Sequence, residues 1–262
     1  MNLNLKGRTA LVCGSSQGLG LASAKELALL GCNVILLARD ADKLQAAMKT
    51  LQKEEDQVHH YAVADFSNPA NVAEVVEGLV NKVGVIHILV NNTGGPAGGK
   101  AIDAQPEAFL QAFNSHLICN HILVQHLAPG MKAAGFGRII NIISTSVKQP
   151  IPGLGVSNTI RAAVANWAKT LSLELAPFGI TVNNVLPGFT QTVRADYVIE
   201  KKSETSGKSK EEVLKEVIAE IPMGRIGQPE EFGAAVAFLC SPAASYISGI
   251  NLPVDGGRTG CL

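Results

Sequence analysis

The sequence predicts an α/β fold, one doubly wound parallel sheet of about seven strands with helices on both faces. Three observations predict it. Aliphatic runs alternate with helical patterns from Arg8 to Val254 without a linker, the order a parallel sheet with crossover helices requires. The runs are near-continuously apolar, as in strands covered on both sides. The first run also passes through a glycine turn directly into a helix.

Thr9-Ala10-Leu11-Val12-Cys13 is the first strand, and it flows into Gly14-Ser15-Ser16-Gln17-Gly18-Leu19-Gly20 and the helical pattern Leu21 to Ala28. Gly14 permits the tight turn, Gly18 lets backbone approach a pyrophosphate, and Gly20 allows the helix to pack close on the strand. The helix N-terminus offers free N–H groups to phosphate oxygens. An ordinary loop is the competing reading, and the strand and helix on either side argue against it. The fold is therefore of the Rossmann type.

Asn33 to Ala38 is the second strand and ends in Arg39-Asp40. An acidic side chain at that tip would bond the adenosine ribose and repel a 2′-phosphate, whereas Arg39 is a forked cation that suits the phosphate; NADP(H) is favoured over NAD(H). The alternative is a solvated Arg39 paired with Asp40, and Asp40 itself is a candidate for a ribose hydroxyl. Val58 to Ala64 and Ile86 to Val90 read as strands three and four, ending in Asp65-Phe66 and in Asn91-Asn92-Thr93-Gly94. Arg138 to Ile143 is a further strand, ending in Ser144, and long helical patterns flank it at about 106–134 and 154–178. Those two patterns are more apolar than one sheet face requires, which points to an oligomer.

Hydrophobic residues make up 47% of the chain, charged residues 17%, and the formal net charge is zero. No basic stripe interleaved with aromatics is present, which argues against nucleic acid as a partner. Polar residues interrupt every apolar stretch well short of a membrane span, and the N-terminus does not read as a signal peptide, so a cytoplasmic location with no membrane partner is expected. Five cysteines without metal spacing read as reduced, packed thiols, and His121 and His126 stand five apart with no carboxylate, so no metal is expected.

The spacing of Gly14, Gly18 and Gly20, the Asn91-Asn92-Thr93-Gly94 turn, Ser144, the Pro187-Gly188 pair and the Val254-Asp255-Gly256-Gly257 ending resemble the short-chain dehydrogenase/reductase family over nearly the whole chain. The 3-oxoacyl-[acyl-carrier-protein] reductases are the members it looks most like. The resemblance implies one NADP-binding domain over residues 1–262, with a substrate lid at about 189–220. It implies a cofactor site drawn from Gly14, Ser15, Ser16, Gln17, Gly18, Leu19, Gly20, Arg39, Asp65, Phe66, Asn91, Thr93, Gly94, Arg161, Pro187, Gly188, Thr190 and Thr192. A small hydrophobic carbonyl substrate and a homotetramer built through helices 106–134 and 154–178 complete the expectation.

The family's chemistry uses an asparagine, a serine, a tyrosine and a lysine. The serine orients the substrate oxygen, the tyrosine transfers its proton, the lysine lowers the tyrosine's pKa and holds the nicotinamide ribose, and the asparagine supports a water path. Here Ser144 keeps the serine position, His116 falls on the asparagine position, and Ser157 and Arg161 replace the tyrosine and lysine. A serine hydroxyl is a far weaker acid than a phenol at ~10, and a guanidinium does not release its proton. A replacement acid would come from His116, Lys148 or Tyr197, with His116 first because histidine titrates near neutrality. Three readings stand: an NADPH-dependent reductase of a 3-oxoacyl thioester or related ketone with a non-standard site; a catalytically silent NADP(H)-binding sensor, scaffold or partner subunit; and an enone reductase, in which protonation at carbon makes the missing tyrosine matter less.

Overall fold

Strands buried on both faces need apolar side chains pointing both ways, and period-2 alternation supplies them. The computed structural model describes residues 1–261. Its strands are β1 (Thr9–Cys13), β2 (Asn33–Ala38), β3 (His60–Val63), β4 (Ile88–Asn91), β5 (Gly137–Ile142), β6 (Ile180–Pro187) and β7 (Asn251–Val254). They form one sheet in the order β3-β2-β1-β4-β5-β6-β7, every pair parallel. Ala10, Val12, Val34, Leu36, Ile88, Val90, Ile140 and Ile142 face one core, while Leu11, Cys13, Ile35, Leu37, Leu89 and Ile139 face the other.

The helices are α1 (Gly18–Leu29), α2 (Ala41–Met48), α3 (Pro69–Val83), α4 (Pro106–Phe113), α5 (Cys119–Ala133), α6 (Gly155–Leu175), α7 (Val193–Ser206), α8 (Lys210–Ala219) and α9 (Pro229–Cys240). Residues of α1, α2 and α9 fill the first core, and residues of α3, α5 and α6 fill the second. Helix α9 crosses α1 closely at Gly233, where a Cβ would come within 2.8 Å of Ala22 O. Among the described residues no helix is long and apolar enough to cross a membrane.

Several element limits differ from the sequence expectation for identifiable reasons. The third and fourth strands begin at His60 and Ile88 rather than Val58 and Ile86, because imidazoles take over the backbone's bonds there. Val34 N–H donates to His59 Nδ1 at 3.1 Å, Thr9 N–H donates to His87 Nδ1 at 3.2 Å, and Val58 N–H donates to Asn33 Oδ1 at 2.8 Å. The expected helix 106–134 is continuous from Pro106 to Ala133, with one turn of π geometry at Asn114–Ile118 between α4 and α5. That turn carries His116 and buries it, and extra turns of this kind are frequent at functional sites.

One polar row crosses the apolar sheet. Asn91 Nδ2 donates to Asn141 Oδ1 at 2.9 Å, Asn141 Nδ2 to Asn184 Oδ1 at 3.0 Å, and Asn184 Nδ2 to Asn251 Oδ1 at 2.8 Å. These residues are also register partners across β4, β5, β6 and β7. Asn141→Ala should therefore destabilise the protein by about 2–4 kcal/mol in urea unfolding, because it strands an amide on each side in a dry environment. Thr181→Val is the matching control: its Oγ1 is buried and already unpartnered, so that change should be neutral or stabilising.

Candidate functional site

The carboxyl ends of the strands meet a cleft where the chain order reverses, between β1 and β4; ligands of open α/β sheets bind at such switch points. The turn after β1 has no room for side chains. A Cβ on Gly14, whose φ is +55°, would stand 2.6 Å from Asn92 O, and one on Gly20 would collide with Gly14 O. Asn92 Nδ2 braces the turn by donating to Gly14 O at 3.1 Å. Gly18 (φ +60°) leaves open space whose nearest neighbour is the Thr192 methyl, 3.7 Å from a built Cβ. No side chain caps α1 at Gln17, so its first N–H groups are available to an oxyanion. A dinucleotide pyrophosphate fits this cradle, with Ser16 and Gln17 on its rim and Leu19 packed beneath it.

Two residues of the expected cofactor set have their side chains committed elsewhere. Ser15 is fully buried, and its Oγ donates to Val12 O at 2.7 Å while accepting from Leu37 N–H at 3.0 Å. It pins β1 to β2 and does not face the cleft. Asn91 likewise points into the core, as the first member of the asparagine row. Their side chains are committed to the core, so only their backbone atoms are left to face a cofactor.

At the β2 tip Arg39 is exposed, and it enters no ion pair among the described residues. Asp40 is not its partner. Asp40 caps α2 by accepting from Lys43 N–H at 3.1 Å, and this bond with the nearby Lys43 charge holds its carboxyl below the usual range. Asp65 stands on the same rim, accepting from Ser67 N–H at 2.9 Å, and its carboxyl is held low by that bond and more weakly by Arg39. Phe66 packs against the second core.

At the reacting end, Ser144 closes β5 half-buried, its Oγ accepting from Ser146 N–H at 3.0 Å. Ser157 lies half-buried in the first turn of α6, and Arg161 follows one turn later with 8% of its surface exposed. Arg161 donates to Ile142 O at 3.1 Å and to Thr93 O at 3.4 Å, linking the ends of β5 and β4, and its Nε is buried without a partner. Burial, and secondarily the charge of Arg194, push its pKa down to about 10. Gly94 is exposed beside it. Pro187-Gly188 is tied to the last strand by Gly188 N–H donating to Val254 O at 2.9 Å. Thr190 Oγ1 donates to Gly188 O at 3.4 Å, and Thr192 caps α7 by accepting from Ala195 N–H at 3.3 Å.

His116 does not titrate near neutrality. Burial first, and the positive charge of Arg161 second, push its pKa down to about 3, so at neutral pH it is an uncharged imidazole with no surplus proton. The other two candidate acids lie at the margins: Tyr197 is exposed on α7 with Arg194 stacked on its ring, and Lys148 ends the short turn after Ser144. Sequence reasoning missed Arg194 and the bracing role of Asn92. Asn92 stood inside a motif already recognised; Arg194 had no local signal, since its effect on Arg161 arises across the fold.

The family model described as "Enoyl-(Acyl carrier protein) reductase" matches residues 14–259. A 3-oxoacyl-[acyl-carrier-protein] reductase of Rickettsia conorii is 34% identical over 255 residues, covering 97% of this chain and 98% of that protein. An NADPH-dependent reductase of Bacillus subtilis, BacG, is 31% identical, with 95% and 97% covered. The crystal structure of L-sorbose reductase from Gluconobacter frateurii, complexed with NADPH and L-sorbose, superposes with a TM-score of 0.94 at 32% identity, covering both chains completely.

The His116 environment carries a stability signature. Its folded pKa of about 3 lies below the ordinary 6.5, so the unfolded chain binds the extra proton and stability is lost as pH falls from about 6.5 towards 3. The limiting slope is about 1.4 kcal/mol per pH unit. His116→Gln should flatten the acid limb of a stability–pH curve measured by urea unfolding, and a native His116 ring signal that titrates near 6.5 by NMR would refute the assignment.

Proposed function

The chain belongs to the short-chain dehydrogenase/reductase family, and we propose that within it the protein is an NADP(H)-dependent oxidoreductase that reduces a carbonyl, a 3-oxoacyl thioester or related ketone, without the usual tyrosine. The observation that carries this reading is the glycine cradle at the start of α1, where Gly14 and Gly20 have no room for a Cβ and Gly18 faces only the Thr192 methyl. Arg39 stands unpaired at the β2 tip, and Arg161 joins the Ile142 and Thr93 carbonyls at the ends of the central strands.

NADPH bound there supplies the hydride for the carbonyl carbon. The backbone at Ser16 to Gly20 would hold the pyrophosphate, Arg39 the 2′-phosphate, Asp65 and Phe66 the adenosine end, and Thr93, Gly94, Pro187, Gly188, Thr190 and Thr192 the nicotinamide half. Arg161 would hold the ribose and favour negative charge on the substrate oxygen as it forms, while Ser144 Oγ would donate a hydrogen bond to that oxygen. Ser157 is too short and too weak an acid to protonate it. The proton comes from solvent, and neutral His116 hands it on through water rather than storing it.

Helices α7 and α8 serve as the lid, and exposed Val193 offers apolar surface to a hydrophobic substrate. Exposed Leu110 and Phe113 on α4 and Leu173 on α6 are the contacts of a homotetramer. The protein works in the cytoplasm. A silent NADP(H)-binding sensor, scaffold or partner subunit is the second reading, favoured because neither Arg161 nor His116 changes its charge near pH 7.

Hydride transfer decides between the two. Native protein should consume NADPH on a panel of 3-oxoacyl thioesters, ketones and enones, with product analysis separating alcohol from saturated ketone. Activity confined to the Ser157→Tyr/Arg161→Lys double variant would establish the silent reading. For the cofactor, Arg39→Glu should weaken NADPH at least about 10-fold, the equivalent of one lost charge-assisted contact, with NADH little affected; equal losses for both nucleotides would disprove the 2′-phosphate role.

A further inference from the structure

A buried arginine, Arg161, lies at the ends of the central strands without a counter-charge, and an exposed one, Arg194, follows on α7. Arg161 gives its two hydrogen bonds to neutral carbonyls, Ile142 O and Thr93 O, and its buried Nε–H has no partner. The charge that reaches it is of the same sign, Arg194 in the first turn of α7. Neither arginine enters an ion pair among the described residues; Arg194 stacks on the Tyr197 ring at 5.3 Å. His116, the remaining titratable neighbour of Arg161, is uncharged at neutral pH. A guanidinium removed from water without a counter-charge is costly, and the cost falls when an anion arrives.

Two of the residues near this charge are small. Ser157 places a hydroxymethyl group where the family carries a phenol, one helical turn from Arg161. On the opposite side Gly95 leaves Arg161 Nη2 as the nearest atom to a built Cβ, at 3.9 Å. Small residues thus flank Arg161 at the ends of the central strands, where Ser144 also stands.

We propose that the substrate is an oxo acid, whose carboxylate enters beside Ser157 and is held by the buried, uncompensated charge of Arg161, with Arg194 adding to it. This rests on the reductase reading and narrows its substrate class to ketones that carry their own anion. Apolar lid residues then face the carbon chain, and the lid closes because Arg194 rides on it. The competing claimant for Arg194 is the cofactor's pyrophosphate, since Thr192, two residues earlier, borders Gly18.

The test uses the full chain with 4-oxopentanoate and 5-oxohexanoate, each beside its methyl ester, for native protein and Arg194→Gln. NADPH oxidation and the Kd for NADPH are read together, and ligand binding to the NADPH complex is read by bound-nucleotide fluorescence. The native protein should prefer acid over ester in kcat/KM by at least about 10-fold, and Arg194→Gln should bring that ratio close to one. Esters turned over as well as acids would overturn the proposal. So would a variant that binds NADPH about 10-fold more weakly with the acid-to-ester ratio unchanged, which would give Arg194 to the pyrophosphate. If no compound oxidises NADPH, the reductase reading fails, and the binding signal still decides: acids that bind where esters do not support the anion site, and acids that do not bind overturn it.

Discussion

Four asparagines, one on each strand from β4 to β7, set the depth at which those strands leave the sheet. A one-residue slip of any strand would turn its asparagine towards the opposite core and leave its neighbour's amide unpaired in a dry environment, so the polar row fixes register more sharply than aliphatic packing does. The site begins immediately beyond that row. Thr93 lies two residues past Asn91, Ile142 one past Asn141, and Ser144 three past Asn141. Arg161 then bridges the Ile142 and Thr93 carbonyls, so its position is inherited from the row rather than set by a counter-ion.

Holding Arg161 by carbonyls alone has an electrostatic consequence. Hydrogen bonds to neutral acceptors satisfy N–H groups without cancelling charge, and in a water-poor environment the residual field is felt by every neighbour. His116 records it: burial is the larger effect, and the Arg161 charge adds to it in the same direction. The pair settles into a charged guanidinium beside a neutral imidazole. That arrangement stabilises an oxygen that becomes negative, yet it stores no proton to give to it.

The architecture was legible in the sequence because its requirements are local. Gly14, Gly18 and Gly20 form a recognisable spacing between a strand and a helix, and Gly20 answers to Gly14 six residues away, although the neighbours of Gly14 and Gly18 are the distant Asn92 and Thr192. Side-chain direction was not legible from motif position. Asn91 sits in a turn motif that suggests ligand contact, but the alternation that sends Leu89 into the second core sends Asn91 the same way. Ser15 lies inside the glycine motif of the expected cofactor set, while its hydroxyl meets Leu37 N–H on the adjacent strand. His116 was ranked by its solution pKa, and the burial and the cation that lower it come from a π turn and from α6, neither visible in the local pattern.

In the proposed reading, Ser157 in the tyrosine's place and Arg161 in the lysine's place form one change rather than two. A tyrosine needs its lysine to lower the phenol's pKa; with the phenol gone, that service has no recipient, and a residue that cannot release a proton does no harm in the lysine's place. Arginine adds what lysine lacks, a planar fork that spans the Ile142 and Thr93 carbonyls and keeps its charge despite burial, with a pKa still at about 10. General acid catalysis is worth roughly 10²–10⁴-fold, whereas removing one preorganised oxyanion donor costs about 10²–10³-fold. A site that gives up the first and strengthens the second loses comparatively little, provided that solvent supplies the proton and that the substrate's own chemistry makes a fixed positive charge an advantage.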